Sequence, residues 1–99
     1  MRLNNSQIHA IKQTAQLLLG DDARVTLFGS RTNDALRGGD IDLLFETPRQ
    51  LDDRVGVTGR LYATLIRCLG DRKIDVLLKD ATTAEAPVMR AARETGVML

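Results

Sequence analysis

The sequence predicts an α+β domain in which a small mixed sheet packs against helices. Segments with apolar residues at helical spacing alternate with short β-prone runs, and a glycine or a proline ends almost every segment. A chain of 99 residues can hold one hydrophobic core, since it buries about two-thirds of the surface that its unfolded form exposes. No internal repeat or low-complexity linker divides the chain, so residues 1–99 are expected to form a single domain.

Composition narrows the classes of function. At 43% hydrophobic and 27% charged residues, the chain is typical of a globular domain. A formal net charge of +1 and three aromatic residues supply neither the basic excess nor the stacking surface of a nucleic-acid binder, so direct nucleic-acid binding is not predicted. The apolar runs are far shorter than the roughly 20 residues that cross a bilayer, and the first residues lack the apolar segment that a signal peptide would have. We therefore expect a cytoplasmic protein that does not bind membranes.

The first half of the chain predicts one helix and two strands. Asn5 or Ser6 is expected to cap the helix and Gly20 to end it, around a stripe of apolar residues at helical spacing: Ile8, Ile11, Ala15, Leu18 and Leu19. Residues 25–28 predict a buried strand that ends at Gly29. Residues 30–36 have room for one or two helical turns, and residues 40–45 predict the second strand.

The second half predicts a long helix, a third strand and a final helix. The long helix ends at Gly70, and its first half is expected to be kinked or frayed by Gly56 and Gly59. Its core face is predicted to consist of Leu51, Val55, Thr58, Tyr62, Leu65, Ile66 and Leu69. Residues 73–78 predict the third strand. A last helix should begin near Pro87 and stop at Gly96, and residues 97–99 can add a short edge strand.

Three aspartates in the predicted strands are the candidate catalytic residues. Side chains alternate along a strand, so Asp40 and Asp42 share one face, and Asp75 shares it too if the two strands are neighbours. Two unit charges about 4 Å apart repel by roughly 4 kcal/mol at an effective dielectric constant near 20, so the group needs a cation. Hard carboxylate oxygens suit Mg²⁺ or Mn²⁺, and two such ions can stabilise the entering and leaving oxygens of a phosphoryl displacement.

The Gly29-Ser30 turn is the candidate phosphate-binding element. Gly29 permits close backbone approach, and a short helix opening at Ser30 would direct its amide groups at an anion. Arg31 and Arg37 flank the turn and are candidates for charge-assisted contacts with a triphosphate, although surface arginines often make no specific contact. We include Arg31 in the predicted site.

An alternative interpretation of the aspartates is structural. Asp-x-Asp by itself is a weak signal, because aspartates at strand starts are often turn residues or solvated charges. The Gly-Ser turn upstream and a further Asp inside the apolar run 74–78 favour a functional site, because a buried strand carboxylate without a role is costly.

At these residues the chain resembles the DNA polymerase β-like nucleotidyltransferase superfamily. The shared pattern is an apolar strand, Gly29-Ser30, nine intervening residues, Asp40-Ile41-Asp42 and a later strand aspartate, Asp75. In length and content the chain looks like the minimal nucleotidyltransferases, the MNT proteins, which are antitoxins paired with HEPN-domain toxins. The resemblance implies that Asp40 and Asp42 hold the metal ions, that Asp75 completes the site beside the attacking hydroxyl, and that Gly29 and Ser30 hold the triphosphate.

The resemblance also implies an activity. It is a Mg²⁺-dependent transfer of AMP from ATP, or of another nucleotide from its NTP, to a hydroxyl of a partner protein, and the expected acceptor is a tyrosine of a HEPN toxin. Two alternatives stay open: an antitoxin that masks its partner by binding alone, and an enzyme that adds nucleotides to an RNA end.

Overall fold

The computed structural model describes residues 3–29, 41–70 and 73–99. In these residues the helices and strands follow one another in the predicted order, and the α+β class is confirmed. The short helix predicted at 30–36 lies outside the described residues. The elements are α1 (Asn5–Leu19), β1 (Arg24–Phe28), β2 (Ile41–Glu46), α2 (Arg54–Leu69), β3 (Ile74–Lys79), α3 (Pro87–Thr95) and β4 (Val97–Met98).

The strands of the described residues form one mixed sheet in the order β3-β2-β1-β4. β1 is antiparallel to both β2 and β4, whereas β2 and β3 are parallel. A parallel pair needs a long crossover connection, and α2 lies in that connection. The predicted edge strand at the end of the chain is confirmed as β4.

α1 begins one residue earlier than predicted. Its N-cap is Asn4, not Asn5 or Ser6, because the Asn4 side chain accepts a hydrogen bond from the Gln7 N–H at 2.8 Å. The Gln7 side chain in turn accepts from the Asn4 N–H at 3.0 Å, which completes a capping box. Such a reciprocal pair satisfies two backbone donors that the first turn leaves without helical partners.

The two faces of the sheet are covered by different helices. On β2, Ile41, Leu43 and Phe45 are fully buried in a core that includes residues of α1 and α2. Leu44 points to the opposite face, where it packs with Met89 and Ala92 of α3. The sheet therefore lies between α1 and α2 on one side and α3 on the other.

α2 buries a different stripe from the predicted one. Val55 is 82% exposed and Tyr62 is 45% exposed, so the prediction that both belong to the core is wrong. The buried positions recur every four residues: Val57, Leu61, Leu65 and Leu69. The predicted face was counted from Leu51. Because Leu51 lies before the first residue of α2, counting from it selects the wrong face of the helix.

The first turn of α2 is continuous despite its glycines. Asp53 is the N-cap, and its carboxylate accepts a hydrogen bond from the Gly56 N–H at 3.0 Å. The helix then runs without interruption through Gly59 to Leu69, so its first half is not frayed. The cap stabilises the turn where the sequence is weakest in helix propensity.

Hydrogen bonds to Asp80 connect the loop after β3 to the segment before α2. Its side chain is 2% exposed, and its carboxylate accepts hydrogen bonds from the Leu51 N–H at 3.0 Å and from the Thr82 and Thr83 hydroxyls at 2.8 Å. The Thr82 N–H donates a further bond at 3.0 Å. These bonds, with that from Leu51 contributing most, hold the pKa of Asp80 far below its usual range.

No helix in the part of the chain that the structure describes is long and apolar enough to span a bilayer.

Candidate active site

The parallel pairing of β2 and β3 places Asp42 directly opposite Asp75. The next residues on the same face, Leu44 and Leu77, are also opposite each other, and Leu44 is covered by α3. The prediction that Asp42 and Asp75 share one face of neighbouring strands is therefore confirmed. Their roles in metal binding and catalysis stay predictions.

The turn after β1 lies beside Asp42. The antiparallel register pairs Phe28 with Asp42, so Gly29 follows at the sheet end where the carboxylate stands. Gly29 has φ +74°, a conformation that favours glycine. A Cβ at Gly29 would lie 3.1 Å from Asp42 Cγ and would overlap Oδ2. Glycine at this position thus leaves the space that the Asp42 carboxylate occupies.

The structure brings together three residues of the predicted site: Gly29, Asp42 and Asp75. The predicted residues Ser30, Arg31 and Asp40 lie outside the described residues. Within residues 3–29, 41–70 and 73–99, no group of three or more His, Cys, Asp or Glu side chains is placed to hold a metal ion. The described part of the site is a pair of carboxylates.

The chemistry of this pair fits a divalent cation. Neighbouring strands are about 4.8 Å apart, and two carboxylates at about 5 Å repel by about 1 kcal/mol in water and about 3 kcal/mol at a dielectric constant near 20. Asp42 is half-buried and Asp75 is exposed, so a ligand can reach the pair from solvent. Carboxylate oxygens are the donors that Mg²⁺ and Mn²⁺ prefer. Asp42 and Asp75 are therefore suitable ligands for such an ion.

An ion-pair cluster, which the sequence patterns did not reveal, fixes α3 on the carboxylate-bearing face. Arg93 of α3 donates to Glu46 of β2, with Nη2 and Oε2 3.2 Å apart, and also to Glu85. The hydrogen bond from Arg93 lowers the pKa of Glu85. Glu46 lies two rows beyond Asp42 on the same face, since side chains alternate. α3 is thus tied to the end of β2 that is remote from the carboxylate pair.

The ion pair between Arg93 and Glu46 and the hydrogen bond from Leu51 to Asp80 lacked a local sequence signal, because the partners are far apart in the chain. Arg93 and Glu46 are 47 positions apart, and Asp80 and Leu51 are 29 positions apart. Only the fold brings them together. The signal available in the sequence was the pair of threonines after Asp80, because Thr82 and Thr83 donate three of its hydrogen bonds.

The described residues form a mixed sheet between helices, with an aspartate on each of two parallel strands and a glycine turn beside them. This arrangement is a polymerase β-like nucleotidyltransferase fold. The family model described as "Nucleotidyltransferase domain" matches residues 8–94, and the chain belongs to this family. The match includes Gly29, Asp42 and Asp75. Its members transfer nucleotidyl groups, which assigns the chain to the transferases and makes an NTP its expected substrate class. No curated protein matches the chain.

Proposed function

We propose that the chain transfers AMP from ATP to a hydroxyl group of a partner protein, with Mg²⁺ or Mn²⁺ as its cofactor. The observation that supports the proposal is the side-by-side placement of Asp42 and Asp75 beside the Gly29 turn, in a member of the nucleotidyltransferase family. Adjacent carboxylates without a cation would repel each other, so their pairing favours a site built for bound metal.

The residues of the proposed site fall into two groups, the metal ligands and the residues that bind the triphosphate. Asp42 and Asp40 would hold two metal ions, with Asp75 completing the ligand set. Bound ions of this kind neutralise the charge of the triphosphate and of the leaving pyrophosphate. Gly29, Ser30 and Arg31 would bind the triphosphate through backbone amides, the serine hydroxyl and the guanidinium group.

The reaction exchanges one bond at the α-phosphorus of ATP. The acceptor oxygen forms a bond to the α-phosphorus, and the bond from this phosphorus to the bridging oxygen of the β-phosphate breaks. Asp75 accepts the proton of the hydroxyl, and pyrophosphate leaves with the electron pair of the broken bond. Catalysis of this type depends mainly on positioning and on charge stabilisation, which rigid strands provide.

The proposed acceptor is a tyrosine of a HEPN toxin, so that modification makes this chain an antitoxin. This part of the proposal depends on the resemblance to minimal nucleotidyltransferases carried by Gly29-Ser30, Asp40-Ile41-Asp42 and Asp75. The composition agrees with a protein acceptor more than with a nucleic-acid acceptor, since a formal net charge of +1 gives little attraction for a polyanion.

A label-transfer assay tests the activity. The chain is incubated with the product of the neighbouring gene, which the proposal expects to be a HEPN toxin, together with α-labelled ATP and Mg²⁺, and the label on this partner is measured together with its intact mass. Asp42→Asn should abolish transfer, because an amide is a poor ligand for Mg²⁺, whereas Asp52→Asn on an exposed loop should transfer as the wild type does. Circular dichroism verifies that both variants are folded. Transfer by Asp42→Asn at the wild-type rate would refute the assignment of the site.

Toxin neutralisation and the identity of the labelled molecule decide between the proposed activity and its two alternatives. If Asp42→Asn still neutralises the toxin at equal expression, binding alone accounts for the antitoxin effect. If the label appears on tRNA and not on the partner protein, the acceptor is an RNA end.

A further inference from the structure

One edge of the sheet has no partner strand in the described part of the chain. β3 pairs with β2 on one side, and among residues 3–29, 41–70 and 73–99 no strand pairs with its other side. An open strand edge presents backbone N–H and C=O groups that can pair with a strand of another molecule. The edge is six residues long, enough for a specific contact.

The ladder to β2 determines which residues of β3 face outward. Ile41 donates its N–H to the Lys73 carbonyl at 2.9 Å, and Thr47 donates its N–H to the Lys79 carbonyl at 3.0 Å. The odd-numbered residues of β3 therefore direct their backbone groups towards β2. The even-numbered residues, Ile74, Val76 and Leu78, direct theirs towards the open edge.

A partly apolar groove accompanies this edge. It is lined by Arg54, Val55 and Thr58 of α2, by residues 76–78 of β3 and by Met89 of α3. Val55 is among the most exposed apolar side chains of the described residues. Apolar side chains next to an open strand edge can be covered when a strand of another molecule pairs with that edge.

We propose that two copies of this chain pair through their β3 edges, antiparallel, with Leu77 opposite Leu77 of the second copy. In a twofold arrangement the outward-facing even residues must pair with each other, and Val76 then lies opposite Leu78 of the second copy. The odd residues form the pairs without hydrogen bonds, in which side chains are closest, at about 4.5 Å between Cα atoms. Asp75 consequently lies opposite Lys79 of the second copy, at both ends of the contact.

Charge complementarity selects this register over its neighbours. A register centred on residue 75 places Asp75 opposite Asp75, and a register centred on residue 76 places it opposite Leu77. A register centred on residue 78 places Lys79 opposite Leu77. Over residues 75–79, the register centred on Leu77 pairs Asp75 with Lys79 and each apolar side chain with another apolar one, and opposite charges across strands stabilise a pair.

Pairing of two copies through β3 would bring a positive charge of the second copy close to the candidate active site. Asp75 belongs both to the open edge and to the carboxylate pair, so the ammonium group of Lys79 from the second copy would approach that pair. The proposal does not depend on the enzymatic role, because it follows from the ladder, the register and the charges of β3 alone.

Sedimentation equilibrium over micromolar to millimolar concentrations tests the proposal. The wild type should dimerise. Lys79→Glu and Asp75→Lys should each raise the dissociation constant at least tenfold by placing like charges opposite each other, and the double variant Asp75→Lys, Lys79→Glu should restore dimerisation. Lys12→Glu makes the same change of charge on exposed α1 and should leave the dissociation constant unchanged. A monomeric wild type, as expected if a different protein occupies the edge, would overturn the proposal, and so would a dimer that tolerates either single reversal.

Cross-linking tests the register without a change of charge. In a Cys68→Ser background, which removes the exposed native thiol, Leu77→Cys should form a disulfide between two copies, because opposite residues of such a pair have a suitable Cα separation. Leu17→Cys, at an 81% exposed position of α1, should stay reduced under the same oxidant. Equal cross-linking of the two variants, or none at position 77, would overturn the register.

Discussion

Replacing Gly29 with alanine tests whether the turn after β1 reserves the space that Asp42 occupies. Two effects are expected, and they differ in origin. The backbone at φ +74° costs an L-residue about 1–2 kcal/mol, so the free energy of unfolding should fall by about that amount. The new Cβ would lie 3.1 Å from Asp42 Cγ, closer than carbon atoms normally approach, and would overlap Oδ2.

The overlap should affect function more than stability. A carboxylate is the end of a flexible side chain, so Asp42 can rotate away from the new Cβ without a shift of the backbone. The rotated carboxylate would leave its position opposite Asp75, and nucleotidyl transfer should then fall by at least 100-fold, the loss expected from about 3 kcal/mol of lost transition-state stabilisation. Denaturant unfolding measures the first effect, and label transfer from α-labelled ATP measures the second.

Gly59→Ala is the matched control. Gly59 lies within α2, and a Cβ there would meet nothing within 4 Å. Alanine should raise the free energy of unfolding by up to about 1 kcal/mol through helix propensity and leave transfer unchanged. If Gly29→Ala unfolds at the wild-type denaturant concentration and transfers label at the wild-type rate, the turn does not position Asp42 and the reasoning is wrong.

Three further predictions concern the scaffold. Asp80→Asn should lower the melting temperature at neutral pH, because an amide oxygen cannot replace a carboxylate that accepts from several donors. The pKa of Asp80 is lower in the folded than in the unfolded chain, so its contribution is complete at neutral pH and the difference between wild type and variant should shrink as the pH falls below about 4. Leu44→Ala removes a fully buried side chain that packs on Met89, and it should cost about 2–5 kcal/mol in denaturant unfolding. Gly96→Ala should lower the melting temperature although its φ of −87° suits alanine, because the Cβ would lie 2.6 Å from the Leu27 carbonyl oxygen, and that backbone cannot yield. A melting temperature equal to that of the wild type would contradict the first and third predictions, and a loss below 1 kcal/mol would contradict the second.

The sequence was sufficient to predict the order of the elements that the structure describes. Almost every apolar segment ended at a glycine or a proline, so most helices and strands could be delimited to within a few residues. Strand alternation also predicted that Asp42 and Asp75 point to equivalent faces. Whether their strands are neighbours was not contained in the pattern, because alternation gives the direction of a side chain and not the order of strands in a sheet. The parallel register supplies that information.

The predictions that failed depended on choices between similar local signals. Asn4 and Asn5 can each cap a helix, and the capping box with Gln7 selects Asn4. The exposure of Tyr62 and Val55 was missed because α2 carries apolar residues on more than one side, and only packing against α1 and β3 decides which side is buried.

The carboxylate pair depends on two strand ladders that are distant in the chain. The parallel β2–β3 ladder places Asp42 opposite Asp75, and the antiparallel β1–β2 ladder places Gly29 against the Asp42 side chain. Either ladder alone leaves part of the arrangement missing, since the first gives two carboxylates without the turn and the second gives the turn with one carboxylate. β2 is the only strand of the described residues that takes part in both ladders. The geometry of the site therefore depends on β2, which has fully buried side chains on both faces at Leu43 and Leu44 and a half-buried carboxylate, Asp42, near its start.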